Sequence, residues 1–278
     1  MIPQRDLSLL SNRLAREGGR RIPEAVLEKD YCLSWFLVGM SATPLKDILV
    51  FKGGTAIKKC YIPDYRFSED LDFTLREETA FETIKGHLDE AFIRTQEASG
   101  IRMRFSRYDR HSHENSHTFY LAYEGPLPGA AGKEIKVDIT IREKIVYPVE
   151  FRPVLKTYSE YHDLPTDTII GVYSLNEIAA EKIVALFDPA RNEPRDLYDF
   201  WRLTGNGLVN PADLTHAVAL KEEFRNRTKT GPKDIFLRKE ARLKKLWSVR
   251  LSTQMSELPE YGEVFRAVTR ELRKGNFG

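Results

Sequence analysis

VFKGGTAIKKCYIPDYRFSEDLDFTL, residues 50–75, decides how this chain is read. A short apolar run ends at Gly53-Gly54, and TAIKKCY after the glycines resembles the first turns of a helix. DLDFTL (70–75) then alternates polar and apolar residues, which is the signature of a half-buried strand. On a strand, residues i and i+2 face the same side about 6–7 Å apart. Asp70 and Asp72 therefore project together, and Leu71 and Phe73 point to a core. Two converging carboxylates repel unless something positive lies between them.

Hard divalent cations answer that repulsion, and Mg²⁺ prefers a few carboxylates together with waters and phosphate oxygens. The glycine turn supplies a complementary feature. Backbone N–H groups at a turn opening a helix cradle anions, and glycine lets a phosphate approach closely. A lone DxD arises often on solvated strand edges, and a lone GG says less. The order strand, GG turn, helix, DxD strand is far more specific, and it suits phosphoryl or nucleotidyl transfer. KEIKVDITI (133–141) adds Asp138 on an alternating strand, with Lys136 on the same face. Asp138 reads either as a solvent-facing partner of Lys136 or as the third acid, completing a metal site or activating a hydroxyl.

Outward from this stretch, PEAVLEKDYCLSWFLVGMSA (23–42) reads as a long, largely buried helix with proline in its first turn. DILVFKG (47–53) reads as a strand, and residues 78–100 as a helix closed by Gly100. IRMRFSRY (101–108), HTFYLAYE (117–124) and 133–141 are three further strands, antiparallel where they follow one another directly. From about Tyr173 the pattern turns helical. Ser174 followed by Glu177 is a capping box for helix 174–187, and 193–204, 211–227, the basic stretch within 221–250 and 259–272 also read as helices. The expected boundary falls between about 150 and 172, giving domains of 1–160 and 161–278.

Composition is that of an ordinary globular protein, with 41% hydrophobic and 30% charged residues. The longest apolar run, Cys32 to Ala42, is far short of the ~20 residues that span a bilayer. No basic segment followed by an apolar core marks a signal peptide at the N-terminus. Cys32 and Cys60 show no CxxC spacing and fit a reducing compartment, so a cytoplasmic protein is expected. Net charge is +2, but residues 221–250 carry eleven Lys/Arg against four Asp/Glu, leaving −5 for the remainder. A polyanion-binding module and a solvated helical face both account for that asymmetry. RHSHENSH (110–117) brings His111, His113 and His117 close to Glu114, a set able to bind Zn²⁺, yet the segment is polar and reads as a solvated hairpin loop.

The GGTAIKKCYIPDYRFSEDLDF stretch resembles the signature of the nucleotidyltransferase superfamily with the DNA polymerase β-type fold: a Gly-Gly/Ser turn, a DxD pair and a third acid on a later strand. More narrowly, VLEKDYCLSW (26–35), FKGGTAIKK with RFSEDLDF (51–59 and 66–73) and EIAAEKIVALFDPARNEPRDLYDFW (177–201) resemble the AbiEii/MenT-type nucleotidyltransferase toxins of type IV toxin–antitoxin systems. The resemblance implies an α+β fold, a mixed sheet with flanking helices followed by a helical C-terminal domain. It implies an enzyme that uses two Mg²⁺ ions, or Mn²⁺, to transfer NMP from an NTP to an RNA 3′ end, tRNA above all, with a cognate antitoxin as partner. Gly53, Gly54 and Thr55 match the nucleotide-binding turn, with Thr55 keeping the hydroxyl of the usual serine. Asp70 and Asp72 match the metal-binding acids, Asp138 the third acid, Lys182 a lysine at the triphosphate, and Asp196 an acid implicated in activity. Arg66 and Ser68, beside the DxD strand, are further candidates for phosphate contact, whereas Lys58 and Lys59 are expected in solvent. The fourteen residues between Thr55 and Asp70 exceed the superfamily's usual spacing. Transfer to a protein hydroxyl and a non-catalytic RNA- or partner-binding module stay open beside this reading.

Overall fold

The computed structural model describes residues 1–110, 113–129, 132–225 and 235–277. They form two units. One comprises Met1–Arg142 with Val149–Val172, the other Glu143–Pro148 with Tyr173–Gly278.

The first unit is α+β, as expected. Its helices are α1 (Gln4–Gly18), α2 (Glu24–Ser41), α3 (Leu45–Ile48), α4 (Gly53–Cys60) and α5 (Phe81–Ser99). Its strands are β1 (Leu49–Lys52), β2 (Asp70–Leu75), β3 (Arg102–Tyr108), β4 (Ser116–Glu124), β5 (Glu134–Thr140), β6 (Glu150–Pro153) and β7 (Ile169–Val172). They make one mixed sheet in the order β3-β4-β5-β2-β1-β7-β6. The β2–β5 and β1–β7 pairs are parallel and the other neighbours antiparallel. The strands β6 and β7 and the helix α1 had no counterpart in the sequence reading.

Alternation sorts the central strands into two faces. Leu71, Phe73, Ile135, Val137, Ile139, Phe119 and Leu121 are buried on one of them. There Phe81, at the start of α5, packs edge-on against Phe119 with ring centroids 5.5 Å apart. α5 in turn packs on α2, which is apolar nearly all round and buried accordingly. The two helices cross at Gly39, where an added Cβ would lie 2.1 Å from Thr95 Oγ1. The opposite face of β2, β5 and β4 carries Asp70, Asp72, Lys136, Asp138, Thr118 and Tyr120.

Lys58 and Lys59 are not in solvent: both are fully buried. α4 is only eight residues long and is enclosed on every side, so lysines on its last turn must find partners inside. Lys59 Nζ lies 2.8 Å from Asp30 Oδ1, 2.8 Å from the Asp30 carbonyl and 2.8 Å from Ser34 Oγ. Lys58 Nζ donates to the carbonyls of Pro63 (3.3 Å) and Tyr65 (3.1 Å) and to the Tyr158 hydroxyl (3.1 Å). It also sits 4.3 Å from the centroid of the Phe67 ring. The loop from α4 to β2 is thus wrapped around a buried ammonium.

The second unit is helical: α6 (Leu175–Leu186), α7 (Pro194–Gly205), a 3₁₀ turn (Pro211–Leu214), α8 (Thr215–Phe224), α9 (Ile235–Arg238), α10 (Glu240–Leu251) and α11 (Tyr261–Lys274). Ser174 caps α6 by accepting from the Glu177 N–H at 3.2 Å. Lys239 closes the other end of that helix, donating to the carbonyls of Leu186 (2.7 Å) and Asp188 (2.9 Å). No helix among the described residues is long and apolar enough to cross a membrane.

Candidate active site

β1 ends in Lys52, and the chain turns into α4 at Gly53, whose φ is +78°. That left-handed backbone suits glycine, and so does the space around it. A Cβ on Gly53 would come 2.5 Å from Asp72 Oδ2. The Thr55 hydroxyl then bridges Ser68 Oγ (2.7 Å) and the carbonyl of Asp70, tying the first turn of α4 to the start of β2. The glycine turn and the DxD strand are one locally bonded construction.

Register sets the acids. In the parallel β2–β5 ladder Asp72 pairs with Asp138 and Asp70 with Lys136. In the antiparallel β1–β2 ladder Lys52 pairs with Asp72. Asp138 Oδ2 accepts a 2.7 Å hydrogen bond from Thr118 Oγ1, which lies 3.1 Å from Ser116 Oγ. Lys52 Nζ donates to Thr140 Oγ1 at 3.0 Å. Asp70, Asp72 and Asp138 are half-buried. Sequence reasoning missed Lys52 and Thr118. Lys52 is the one charge in an otherwise apolar strand before the glycines, which was the available signal. Thr118 carried none, because its role depends on the β4–β5 register.

Arg66 and Ser68 are both buried. Arg66 donates to the carbonyl of Phe67 at 3.2 Å, and its guanidinium lies 5.7 Å from the Tyr65 ring centroid. Among the described residues no group of three or more His, Cys, Asp or Glu is arranged to hold a metal ion unaided. Asp70 and Asp72 share one face of β2 with Asp138 of β5 beside them, all oxygen donors of the kind a magnesium ion takes one or two of, with water and phosphate oxygens completing its octahedron. His113 is exposed, and His117 belongs to β4, 4.7 Å from the Phe81 ring, where burial lowers its pKa. His111 lies outside the described residues.

In the second unit Lys182, on α6, contacts Asp196 Oδ1 at 2.8 Å and Asp199 Oδ2 at 2.7 Å, both on α7. Arg191 Nε reaches Asp196 Oδ2 at 2.6 Å. Burial works against ionisation of Asp196, but Lys182 and Arg191 outweigh it and hold the carboxyl well below the usual range. Lys182, Asp196 and Asp199 thus form a buried ion cluster, which the exposed Arg191 joins from the surface. Beside it, Lys221 meets Glu177 Oε1 at 2.6 Å, Glu143 at 3.5 Å and Glu181 at 3.6 Å. Glu177 Oε2 also accepts from the N–H groups of Val146 and Tyr147.

The basic segment 221–250 divides. Lys221 and Lys239 are buried, and Arg225 is bonded to Glu143 and Glu181, so these three cations are engaged inside the unit. Arg242, Lys244, Lys245 and Arg250 are exposed on α10. Residues 226–234 lie outside the described residues.

None of the proteins with curated descriptions matches the chain. Among solved structures it is similar to MenT4, a nucleotidyltransferase toxin from Mycobacterium tuberculosis H37Rv, with a TM-score of 0.64 at 18% identity, over 96% of this chain and 88% of that one. It is also similar to a putative nucleotidyltransferase from H. pylori, with a TM-score of 0.56 at 18% identity, over 92% of this chain and 96% of the other. At such identities the likeness is one of fold. In sequence, residues 35–270 match the family described as "Nucleotidyl transferase AbiEii toxin, Type IV TA system". The chain therefore belongs to the AbiEii family of nucleotidyltransferase toxins of type IV toxin–antitoxin systems.

Proposed function

We propose that this toxin transfers a nucleoside monophosphate from an NTP to the 3′ end of an RNA, a tRNA in the first instance, and does so with Mg²⁺. The observation that carries this reading is the register of Asp72 beside Asp138, with a left-handed glycine against Asp72. In it Asp70, Asp72 and Asp138 would hold the magnesium ions, which Mn²⁺ could replace. The metal, when bound, supplies charge neutralisation at the phosphates and lowers the pKa of an attacking hydroxyl.

The N–H groups of Gly53, Gly54 and Thr55 at the start of α4 donate to phosphate oxygens, assisted by the helix dipole. Arg66 and Ser68 are assigned to the same phosphates. Asp138, oriented by Thr118, receives the proton of the RNA hydroxyl. That oxygen attacks the α-phosphorus in line, the bond from α-phosphorus to the bridging oxygen breaks, and pyrophosphate leaves. Lys182 and Asp196 keep the roles in activity that the family pattern implies, Lys182 at the triphosphate. A cognate antitoxin is the expected partner, and the cytoplasm, where NTPs and tRNA occur together, the expected place of action.

The test incubates the full chain and Mg²⁺ with total tRNA, or with cell protein, and each α-labelled NTP in turn. Label entering RNA from one NTP supports the reading and names the donor. Label entering protein alone replaces RNA with a protein hydroxyl, and no label in either overturns the transfer.

A further inference from the structure

Helix α11 has two sharply different sides. Tyr261, Val264, Phe265, Val268 and Leu272 are buried, while Arg266, Arg270, Arg273 and Lys274 are exposed. Steps of three and four residues keep those four cations on one stripe of the helix. At 1.5 Å per residue the stripe is about 12 Å long. α9 packs against α11 through Phe236, stacked on Phe265 with centroids 4.8 Å apart. The Tyr261 hydroxyl donates to the Glu240 carbonyl at 2.8 Å and fixes the start of α10 beside the same helix.

An open groove of about 750 Å³ remains between these elements. Leu237, 44% exposed, and the edge of Phe265 give it apolar surface. Arg266, Arg270, Arg273 and Lys274 line it, against the single acid Glu240. Glu271 lies 2.8 Å from Lys274 and 3.8 Å from Arg270, and Glu260 lies beside Arg266; with both counted the cations still outnumber the acids four to three. The surroundings have the same sign: residues 235–277 hold ten Lys/Arg and five Asp/Glu.

We infer that this groove is an RNA-docking surface, in which Arg266, Arg270, Arg273 and Lys274 hold successive backbone phosphates of the acceptor. The inference rests on RNA being the acceptor. Three of the four cations are arginines, whose planar forks bind phosphate bidentately, and the guanidinium is more weakly hydrated than an ammonium. Such contacts position an RNA without reading its bases. The surface also differs from the one expected from sequence, since part of the 221–250 charge is consumed inside the unit.

The test compares the full chain with R266E/R270E/R273E and with R5E/K46E/R94E, which makes the same change of charge on exposed residues of the first unit. Binding of fluorescent total tRNA is titrated by anisotropy from 50 to 300 mM salt, and labelled transfer is followed beside it. The groove variant, melting as the wild type does, is expected to bind at least about tenfold more weakly, and its log–log salt slope to shrink by about 2 to 3. Its transfer is expected to need proportionately more tRNA for half-maximal rate, and the control triple to stay near wild type. If the groove variant misfolds, R266Q/R273Q carries the same test with a slope change of about 2 or less. Equal loss in both triples reduces the effect to net charge and overturns the docking surface. Unchanged binding with intact transfer overturns the groove while leaving RNA as acceptor; if polyglutamate then competes with the wild type alone, the groove takes an acidic protein instead. A wild type that neither binds nor labels RNA overturns the acceptor itself, and the docking surface with it.

Discussion

Asp72 and Asp138 are direct partners in a parallel ladder although 66 positions separate them in the chain, and Thr118 from a third strand bonds the second of them at 2.7 Å. A parallel pair cannot be closed by a tight hairpin. α5, β3 and β4 lie between β2 and β5 in the chain, so that whole excursion precedes the strand that sets Asp138 beside Asp72. Register then fixes which face it uses: a slip of one residue would turn Asp138 to the apolar side and Val137 to the polar one.

Gly53→Ala tests the glycine turn. Its φ of +78° costs a residue with a Cβ about 1–2 kcal/mol, and the new methyl would press on Asp72 from 2.5 Å. The variant is expected to remain folded, with a melting temperature a few degrees lower, while transfer falls by about 10²-fold or more as Asp72 is displaced. Calorimetry beside a transfer assay checks it; parallel, small losses in both would mean that the turn is structural only.

Lys58→Met tests the buried ammonium that organises the loop from α4 to β2. The substitution strands the carbonyls of Pro63 and Tyr65 and the Tyr158 hydroxyl, at a cost of about 2–3 kcal/mol at neutral pH. Burial lowers the Lys58 pKa to about 8 from an ordinary value of 10.5. Between those two values the unfolded chain binds more protons than the folded one, so the lysine's contribution improves as pH rises. The stability gap between wild type and variant is therefore expected to widen from pH 8 to 10, as read by urea denaturation at each pH. A gap that narrows would mean that the three oxygen partners favour the ammonium more than burial penalises it, and would contradict the lowered pKa.

Asp196→Asn tests the ion cluster in the helical unit. Removing this charge leaves the buried Lys182 with Asp199 alone and takes one carboxylate from the exposed Arg191, a change expected to cost about 3 kcal/mol near neutrality. Because the native carboxyl is held well below its unfolded value of about 3.9, its contribution is complete above that value and is lost as pH falls below it. Wild type and variant should converge in stability from pH 4 downward. Stability curves that stay parallel through this range would remove Asp196 from the account of acid sensitivity.

The central strands and the glycine turn before the DxD strand were legible because their residues carry local signals. Alternation marked β2, β4 and β5, the glycine pair marked the start of α4, and Ser174 with Glu177 marked the start of α6. β6 and β7 were not legible, since four residues each, one set ending in proline and the other containing glycine, give no period to detect. The lysines 58 and 59 misled for a related reason: charge suggests solvent, and only the fold supplies the carbonyls, aromatic rings and Asp30 that let them lie inside. The pairing of Asp72 with Asp138 rested on strand register, which local pattern does not encode. The internal partners of Lys221 and Arg225 were equally hidden, because Glu143 reaches them from a segment distant in sequence.

The most direct test of the account is nucleotide transfer by Asp72→Asn and Asp138→Asn beside the wild type, with label entering tRNA and pyrophosphate release measured in the same tubes. The expected result is stoichiometric release and labelling by the wild type, with both signals reduced at least about 10³-fold in each variant and thermal stability retained. Label and pyrophosphate that persist in either variant would contradict the assignment of this pair as the chemical centre.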